Sequence, residues 1–219
     1  KSWRLILESV CIMATYTYPI SMPTNVGFVS SNWKLERQVA VTESPFTGQQ
    51  SIYEYSKALW KGTFTLPPMK RSDASQWQSF FLKLHGRKGT FLAGDPDAKS
   101  IQGAASGTIT TTSALSIGDD TVPISITASN GTVAFKAGDY IQLETGADAK
   151  LYMVVNDATV SSNATTLDIE PYIKDGVASG ANVDYTSANA VFRMDINDIS
   201  WDADHASKYG FTFSCTEDL

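Results

Sequence analysis

The stretch Tyr209-Gly-Phe-Thr-Phe-Ser-Cys215 decides the fold, because it alternates large apolar residues with small or polar ones. A period of two residues places all the large side chains on one face of a β-strand. One buried face and one solvated face are typical of an antiparallel sheet. The stretch therefore predicts a half-buried antiparallel strand in the C-terminal part of the chain.

Two segments in the N-terminal part, 32–41 and 60–66, repeat this alternation. The positions that share one face are Trp33, Leu35, Val39 and Val41 in the first segment, where Arg37 interrupts them, and Trp60, Phe64 and Leu66 in the second. Both segments are predicted to be half-buried strands. Because they lie far from residues 209–215 in the sequence, the sheet must close with strands from both ends of the chain.

One helix is predicted after the Pro-Pro pair at 67–68. Ser72 or Asp73 is the expected N-cap, and Gly86 is the expected C-terminal stop. Apolar residues at 77, 81 and 84 recur with helical spacing, so this helix should cover one face of the sheet.

Charge and aromatic content divide the chain into an outer and a middle part. Residues 104–190 carry ten acids and three bases, whereas the remainder has a net charge of +1 and all five tryptophans. A shift in both properties at the same boundaries is typical of a domain inserted into a host domain. We therefore predict an N-terminal extension at 1–15, a host domain at 16–103 plus 191–219, and an inserted domain at 104–190.

The middle part contains short apolar runs bounded by Gly, Asp, Asn or Ser. The runs predicted to be strands are Thr121 to Thr127, Tyr140 to Leu143, Leu151 to Val155 and Thr165 to Ile169. Several short strands in such a segment favour a small barrel or sandwich. The predicted fold class is thus mainly β: an antiparallel β-sandwich host with one helix, carrying a small all-β barrel or sandwich.

The amino-acid composition and the charge limit the classes of function that the protein can have. The net charge of −6 opposes binding to a phosphate backbone, so no nucleic-acid partner is expected. The longest uncharged stretch, 100–118, is rich in Ser, Thr, Gly and Ala, so no membrane span is expected. Cys11 and Cys215 have no metal-ligand or disulfide-framework spacing and are interpreted as reduced thiols.

Motifs for catalysis are absent from the sequence. There is no Gly-x-Ser-x-Gly elbow, no phosphate-binding loop and no dinucleotide fingerprint, and the only histidines are His85 and His205. The acids between 195 and 204 lack the Gly and terminal Glu of a calcium loop. We expect no enzyme activity, no cofactor and no metal. A glycoside hydrolase stays open as a minor alternative, because its carboxylates need no sequence spacing.

Two surfaces are candidates for contacts between subunits. The loop between the first two strands is polar and punctuated by Pro and Gly, so it should protrude. Basic residues around the helix could meet an acidic surface, such as the acidic bend near 202, on a neighbouring chain. The candidate interface residues are Glu43, Pro45, Phe46, Gln49, Arg71, Arg87, Lys88, Asp202 and Asp204.

Several segments occur in an order that resembles the distal tail proteins of long-tailed bacteriophages, from about Tyr16 to the end. The segments are Tyr18-Pro19, the loop 43–50, Leu66-Pro-Pro-Met69 before the helix, Gly86-Arg-Lys-Gly-Thr-Phe-Leu-Ala-Gly-Asp-Pro-Asp97, Gly138-Asp-Tyr-Ile-Gln-Leu143, Leu151-Tyr-Met-Val-Val155, Leu167-Asp-Ile-Glu-Pro-Tyr172 and Val191-Phe-Arg-Met194. The resemblance implies a homo-oligomer, a sixfold ring between tail tube and tail-tip proteins. It also implies a place in the virion after assembly in the host bacterial cytoplasm.

A carbohydrate-binding module is the alternative function. The inserted domain would recognise a cell-surface glycan through exposed aromatic rings. The candidate residues are Tyr140, Tyr152, Tyr172 and Tyr185. Packing in the core of a small barrel explains these tyrosines equally well.

Overall fold

The computed structural model describes residues 16–198, 200–203 and 208–219. These ranges contain fifteen strands, one α-helix and a short 3-10 turn at Gly146–Asp148. In chain order the strands and helix are β1 (Ile20–Ser21), β2 (Ser30–Glu43), β3 (Gln50–Met69), α1 (Arg71–Leu84), β4 (Thr90–Ala93), β5 (Thr110–Thr111), β6 (Thr121–Ser125), β7 (Val133–Phe135), β8 (Tyr140–Leu143), β9 (Lys150–Val154), β10 (Ala158–Thr159), β11 (Ala164–Glu170), β12 (Val183–Asp184), β13 (Ala190–Met194), β14 (Asp202–Ala203) and β15 (Tyr209–Glu217).

Most of the strands form one large sheet and one smaller, nearly closed sheet, and β7 pairs with β10 in a separate two-stranded sheet. The large sheet has the order β1-β4-β13-β15-β3-β2, with β14 added beside β15. It is mixed, since β1 runs parallel to β4. The smaller antiparallel sheet has the order β12-β8-β9-β11-β6-β5, and a bridge between Thr110 and Asn182 nearly closes it into a barrel. The predicted fold class, a mainly β protein with one helix and an inserted barrel-like sheet, is confirmed.

Helix α1 begins at Arg71, directly after β3. The expected N-caps are wrong: Ser72 and Asp73 lie inside the first turn, and Lys70 occupies the N-cap position without a side-chain hydrogen bond. The reason is that β3 continues through the Pro-Pro pair to Met69, so the chain turns into the helix at once. The carboxylate of Asp73 still lies in the first turn, where a negative charge favours the helix.

Helix α1 packs its apolar stripe on the large sheet. The ring of Phe81 lies 5.1 Å from that of Phe213, and the ring of Trp77 lies 6.1 Å from it. On β15 the predicted alternation is confirmed, since Phe211, Phe213 and Cys215 are all buried. Burying side chains of this size contributes about 1.5–3 kcal/mol each, so this layer stabilises most of the large sheet.

A second hydrophobic cluster fills the barrel-like sheet. The two clusters meet where the indole nitrogen of Trp60 donates a hydrogen bond to the carbonyl of Leu151 at 2.9 Å. Tyr140 and Leu151 lie in the middle part of the sequence but belong to the cluster of the large sheet. The division at 104 and 190 into separately folding domains therefore stays a prediction. The proposed extension 1–15 lies outside the described residues.

Candidate assembly surface

Strands β2 and β3 form a hairpin that runs beyond the rest of the large sheet. They pair from Ser30 opposite Thr65 to Glu43 opposite Gln50, whereas β15 pairs with β3 only from Lys61 to Met69. Residues 38–57, which we call the arm, are therefore a two-stranded ribbon roughly 25 Å long. Such a ribbon is marginally stable in water when nothing packs against it.

The arm exposes large apolar side chains on both of its faces. Val41 lies opposite Ile52 across the strands, with Val39 on the same side, and all three are exposed. The other face carries Tyr53 and Tyr55, whose ring centroids are 4.9 Å apart. These residues are between 46% and 67% exposed. We call the two sides the aliphatic face and the tyrosine face.

The exposure of the arm corrects one sequence expectation. The alternation at 32–41 predicts a half-buried strand throughout, but only its first half, with Trp33 and Leu35, is half-buried. Val39 and Val41 are exposed because neither hydrophobic cluster extends beyond Leu35 along this strand. The register is irregular after Arg37, whose guanidinium bonds Glu54 at 3.1 Å and also Glu170 of the barrel. These contacts fix the base of the arm.

The tip of the arm is a closed loop. The amide of Ser44 donates to the carbonyl of Gln49, and the amide of Gly48 donates to the carbonyl of Ser44, both at 2.9 Å. Gly48 has a φ of +67°, a conformation that glycine adopts without strain. Phe46 is 95% exposed. The structure thus brings four predicted contact residues together on an exposed tip: Glu43, Pro45, Phe46 and Gln49.

The predicted basic residues do not form one cluster. Arg71 begins helix α1 and Arg87 follows its end, so about 20 Å of helix separates them. Two carbonyls, of Arg87 and Lys88, accept hydrogen bonds from the guanidinium of Arg193 at 2.7 and 2.8 Å. The side chains of Arg87 and Lys88 are exposed.

The segment at the start of the predicted acidic bend contacts the end of helix α1 in the same chain. The amide of Arg87 donates to the side chain of Asn197 at 3.2 Å, and the carboxylate of Asp195 accepts from the hydroxyl of Thr216. Asp202 lies in β14, next to β15. Asp204 lies outside the described residues. A contact of these acids with the basic residues of a neighbouring chain stays a prediction.

Reversing two charges tests the basic candidate. Arg87→Glu with Lys88→Glu should weaken assembly at low salt and much less at high salt, because a contact between exposed charges is screened. The melting temperature should stay within a few degrees of the wild-type value, since exposed pairs contribute only about 0–1 kcal/mol. Sedimentation at two salt concentrations measures the effect. Lys136→Glu, at an exposed lysine of the barrel outside the candidate interface, is the control. A double variant that assembles like the wild type at low salt would contradict the assignment.

A buried ion pair joins the large sheet to the barrel, and sequence reasoning missed it. The side chains of Lys174 and Glu217 are 8% and 0% exposed, and their charged ends are in direct contact. The same carboxylate accepts a hydrogen bond from the backbone amide of Trp60 at 3.0 Å. Burial lowers the pKa of Lys174 despite the nearby negative charge of Glu217. We call this pair with Trp60 the junction.

The alternative glycan residues are largely committed to packing. Tyr140 and Tyr152 are buried, and burial raises the pKa of Tyr140 to about 12. The hydroxyl of Tyr185 donates to the carbonyl of Gly107 at 2.8 Å, and Tyr172 is half-buried. The structure therefore does not place these four tyrosine rings together on an exposed sugar-binding face.

Within the described ranges, no group of three His, Cys, Asp or Glu side chains could hold a metal ion. In the same residues no helix has both the length and the apolar character needed to cross a membrane. Cys215 is a buried free thiol, and burial raises its pKa. The arm, with its exposed apolar side chains, is therefore the surface that is best suited to bind a partner.

No model of a known protein family matches the chain, and no curated protein sequence is significantly similar to it.

Proposed function

We propose that the protein is a structural subunit that binds copies of itself to form a ring at the tail tip of a long-tailed bacteriophage. The ring would join the tail tube to the tip or host-recognition apparatus. The observation that carries the proposal is the arm, a ribbon with exposed apolar side chains on both faces and at its tip. A soluble monomer rarely exposes such a continuous apolar surface, so it marks an interaction site.

The apolar surface of the arm is a large part of the area that a specific contact needs. Each buried aromatic side chain covers about 150–250 Å², so Phe46, Tyr53 and Tyr55 with the aliphatic face offer several hundred Å². A stable interface needs about 800 Å² from each partner. Tyrosine is also among the residues that dominate binding energy in interfaces. The arm can therefore supply most of one side of an interface.

A ring needs contacts between two different surfaces of the same chain, because identical surfaces would produce a closed dimer. An arm that projects from one end of a sheet suits this kind of contact. The sixfold symmetry, the phage tail and the neighbouring tube and tip proteins are proposed on the sequence resemblance alone. No cofactor, metal, nucleic acid or membrane enters the proposal.

Negative-stain electron microscopy of the purified protein, together with native mass spectrometry, tests the proposal. We expect closed rings with a mass of six chains. A protein that stays monomeric up to about 100 μM, well above the dissociation constant of an ordinary specific interface, would overturn it. Binding of the monomer to a glycan array would instead support the carbohydrate-binding alternative.

A further inference from the structure

A recess of about 610 Å³ lies at the opposite end of strand β2 from the tip of the arm. It is bordered by β1, by the segment that leads into β2, and by the loop after β4. Apolar residues, among them Met22, Val26, Phe28, Leu92 and Pro96, line it together with polar and charged ones. The volume lies within the range of about 300–1,000 Å³ that holds a bound molecule in proteins.

The tip of the arm is preorganised to enter such a recess. Its two backbone hydrogen bonds close the loop before any partner binds, and Pro45 restricts the backbone next to Phe46. Little conformational freedom is therefore lost on binding, which favours affinity. The loop between Glu43 and Gln50 carries no charge, so its aromatic ring can reach the apolar side chains of the recess without burying an ion of its own.

The recess of one chain is out of reach of its own tip. Ser31 lines the recess and Glu43 ends the same strand, twelve positions further along it. At 3.2–3.4 Å per residue the two ends are separated by about 40 Å. An occupant with the chemistry of the tip must therefore come from a second copy.

The geometry points to a head-to-tail contact in which Phe46 of one copy fills this recess in the next. The inference rests on the proposed self-assembly and names the surfaces that meet. A protrusion and a recess at the two ends of one strand form a heterologous contact, which repeats until the ring closes. The recess also borders on Asp95, Asp97 and Lys99, charges of both signs, so the fit depends on shape and apolar contact.

Two variants test the contact from its two sides. Phe46→Ala removes the protrusion. Gly27→Trp fills the recess, and this site accepts a side chain because a Cβ there would have no atom within 4 Å. Each variant alone should raise the concentration at which half of the protein is assembled at least about tenfold, since a central aromatic anchor is typical of a hot spot. Ile117→Ala, at an exposed apolar residue of the barrel, is the control.

Mixing the two variants gives the decisive result. The Gly27→Trp chain keeps an intact tip, and the Phe46→Ala chain keeps an intact recess. The tip of the first can therefore bind the recess of the second, but no third chain can add, because the remaining tip lacks Phe46 and the remaining recess is filled. We expect a mixture at ten times the wild-type midpoint to give heterodimers by native mass spectrometry. Circular dichroism checks that both variants fold. If the tryptophan side chain prevents folding, Gly27→Leu replaces Gly27→Trp.

The outcomes separate this contact from self-assembly itself. If the wild type assembles and both variants assemble at the same midpoint, the contact is wrong and the proposed function stands. A mixture that stays monomeric, while the wild type assembles, also overturns the contact. If the wild type is monomeric at all concentrations, the proposed function fails and the contact fails with it.

Discussion

Replacing residues 38–57 with a two-residue Asn-Gly turn should abolish self-assembly and leave the fold intact. Arg37 and Ala58 face each other across the two strands, so a tight turn can join them. No member of either hydrophobic cluster lies within the replaced residues. Losing both apolar faces and the tip should raise the assembly midpoint at least about a hundredfold, because several hot-spot side chains are removed together.

A full-length version of this test keeps the arm and changes only one face. Tyr53→Ser with Tyr55→Ser should weaken assembly strongly, whereas Leu82→Ser with Ile117→Ser removes apolar side chains that are equally exposed elsewhere and should not. Analytical ultracentrifugation measures assembly, and thermal melting followed by circular dichroism measures folding. A shortened chain that assembles like the wild type would show that the arm is not the contact surface.

Lys174→Met should lower the free energy of unfolding by about 3–5 kcal/mol at pH 7, the usual cost of leaving one buried charge without its partner. The carboxylate of Glu217 would keep only the amide of Trp60, and its other oxygen is already buried without a partner among the described residues. Urea denaturation measures the loss. Lys61→Met, which breaks an exposed pair with Glu36, is the control and should leave the urea midpoint nearly unchanged.

The double variant Lys174→Met with Glu217→Met should regain most of the stability that Lys174→Met loses, because replacing both members of a buried ion pair with apolar side chains leaves no buried charge without its partner. Urea denaturation compares the two variants at the same pH. A double variant that is as unstable as Lys174→Met would contradict this account.

The elements that sequence reasoning predicted correctly are those set by local pattern. Alternation predicted the buried positions on β15, and helical spacing predicted the buried side of α1. Short apolar runs predicted β8 with its bounds and most of β6, β9 and β11. Each of these features depends on residues a few positions apart.

The features that were missed depend on residues brought together by the fold. Lys174 and Glu217 are far apart in the sequence, and an isolated lysine before an Asp-Gly turn gives no sign that it is buried. The exposure of Val41 depends on how far the two hydrophobic clusters extend along β2, not on the sequence around Val41. Likewise, Arg71 and Arg87 look like one basic group in the sequence, but the length of the helix separates them.

The position of β15 has a consequence for the order in which the chain folds. It lies between β13 and β3, and its Cys215 pairs with Gly62, so the large sheet requires a very long loop to close. Strands of the barrel, such as β8 and β9, pair with near neighbours in the sequence. Since a chain leaves the ribosome from its N-terminus, all strands of the barrel and of the hairpin are synthesised before β15. The sheet that aims the arm is completed last, so an unfinished chain does not hold its arm in a fixed direction for a neighbour to bind.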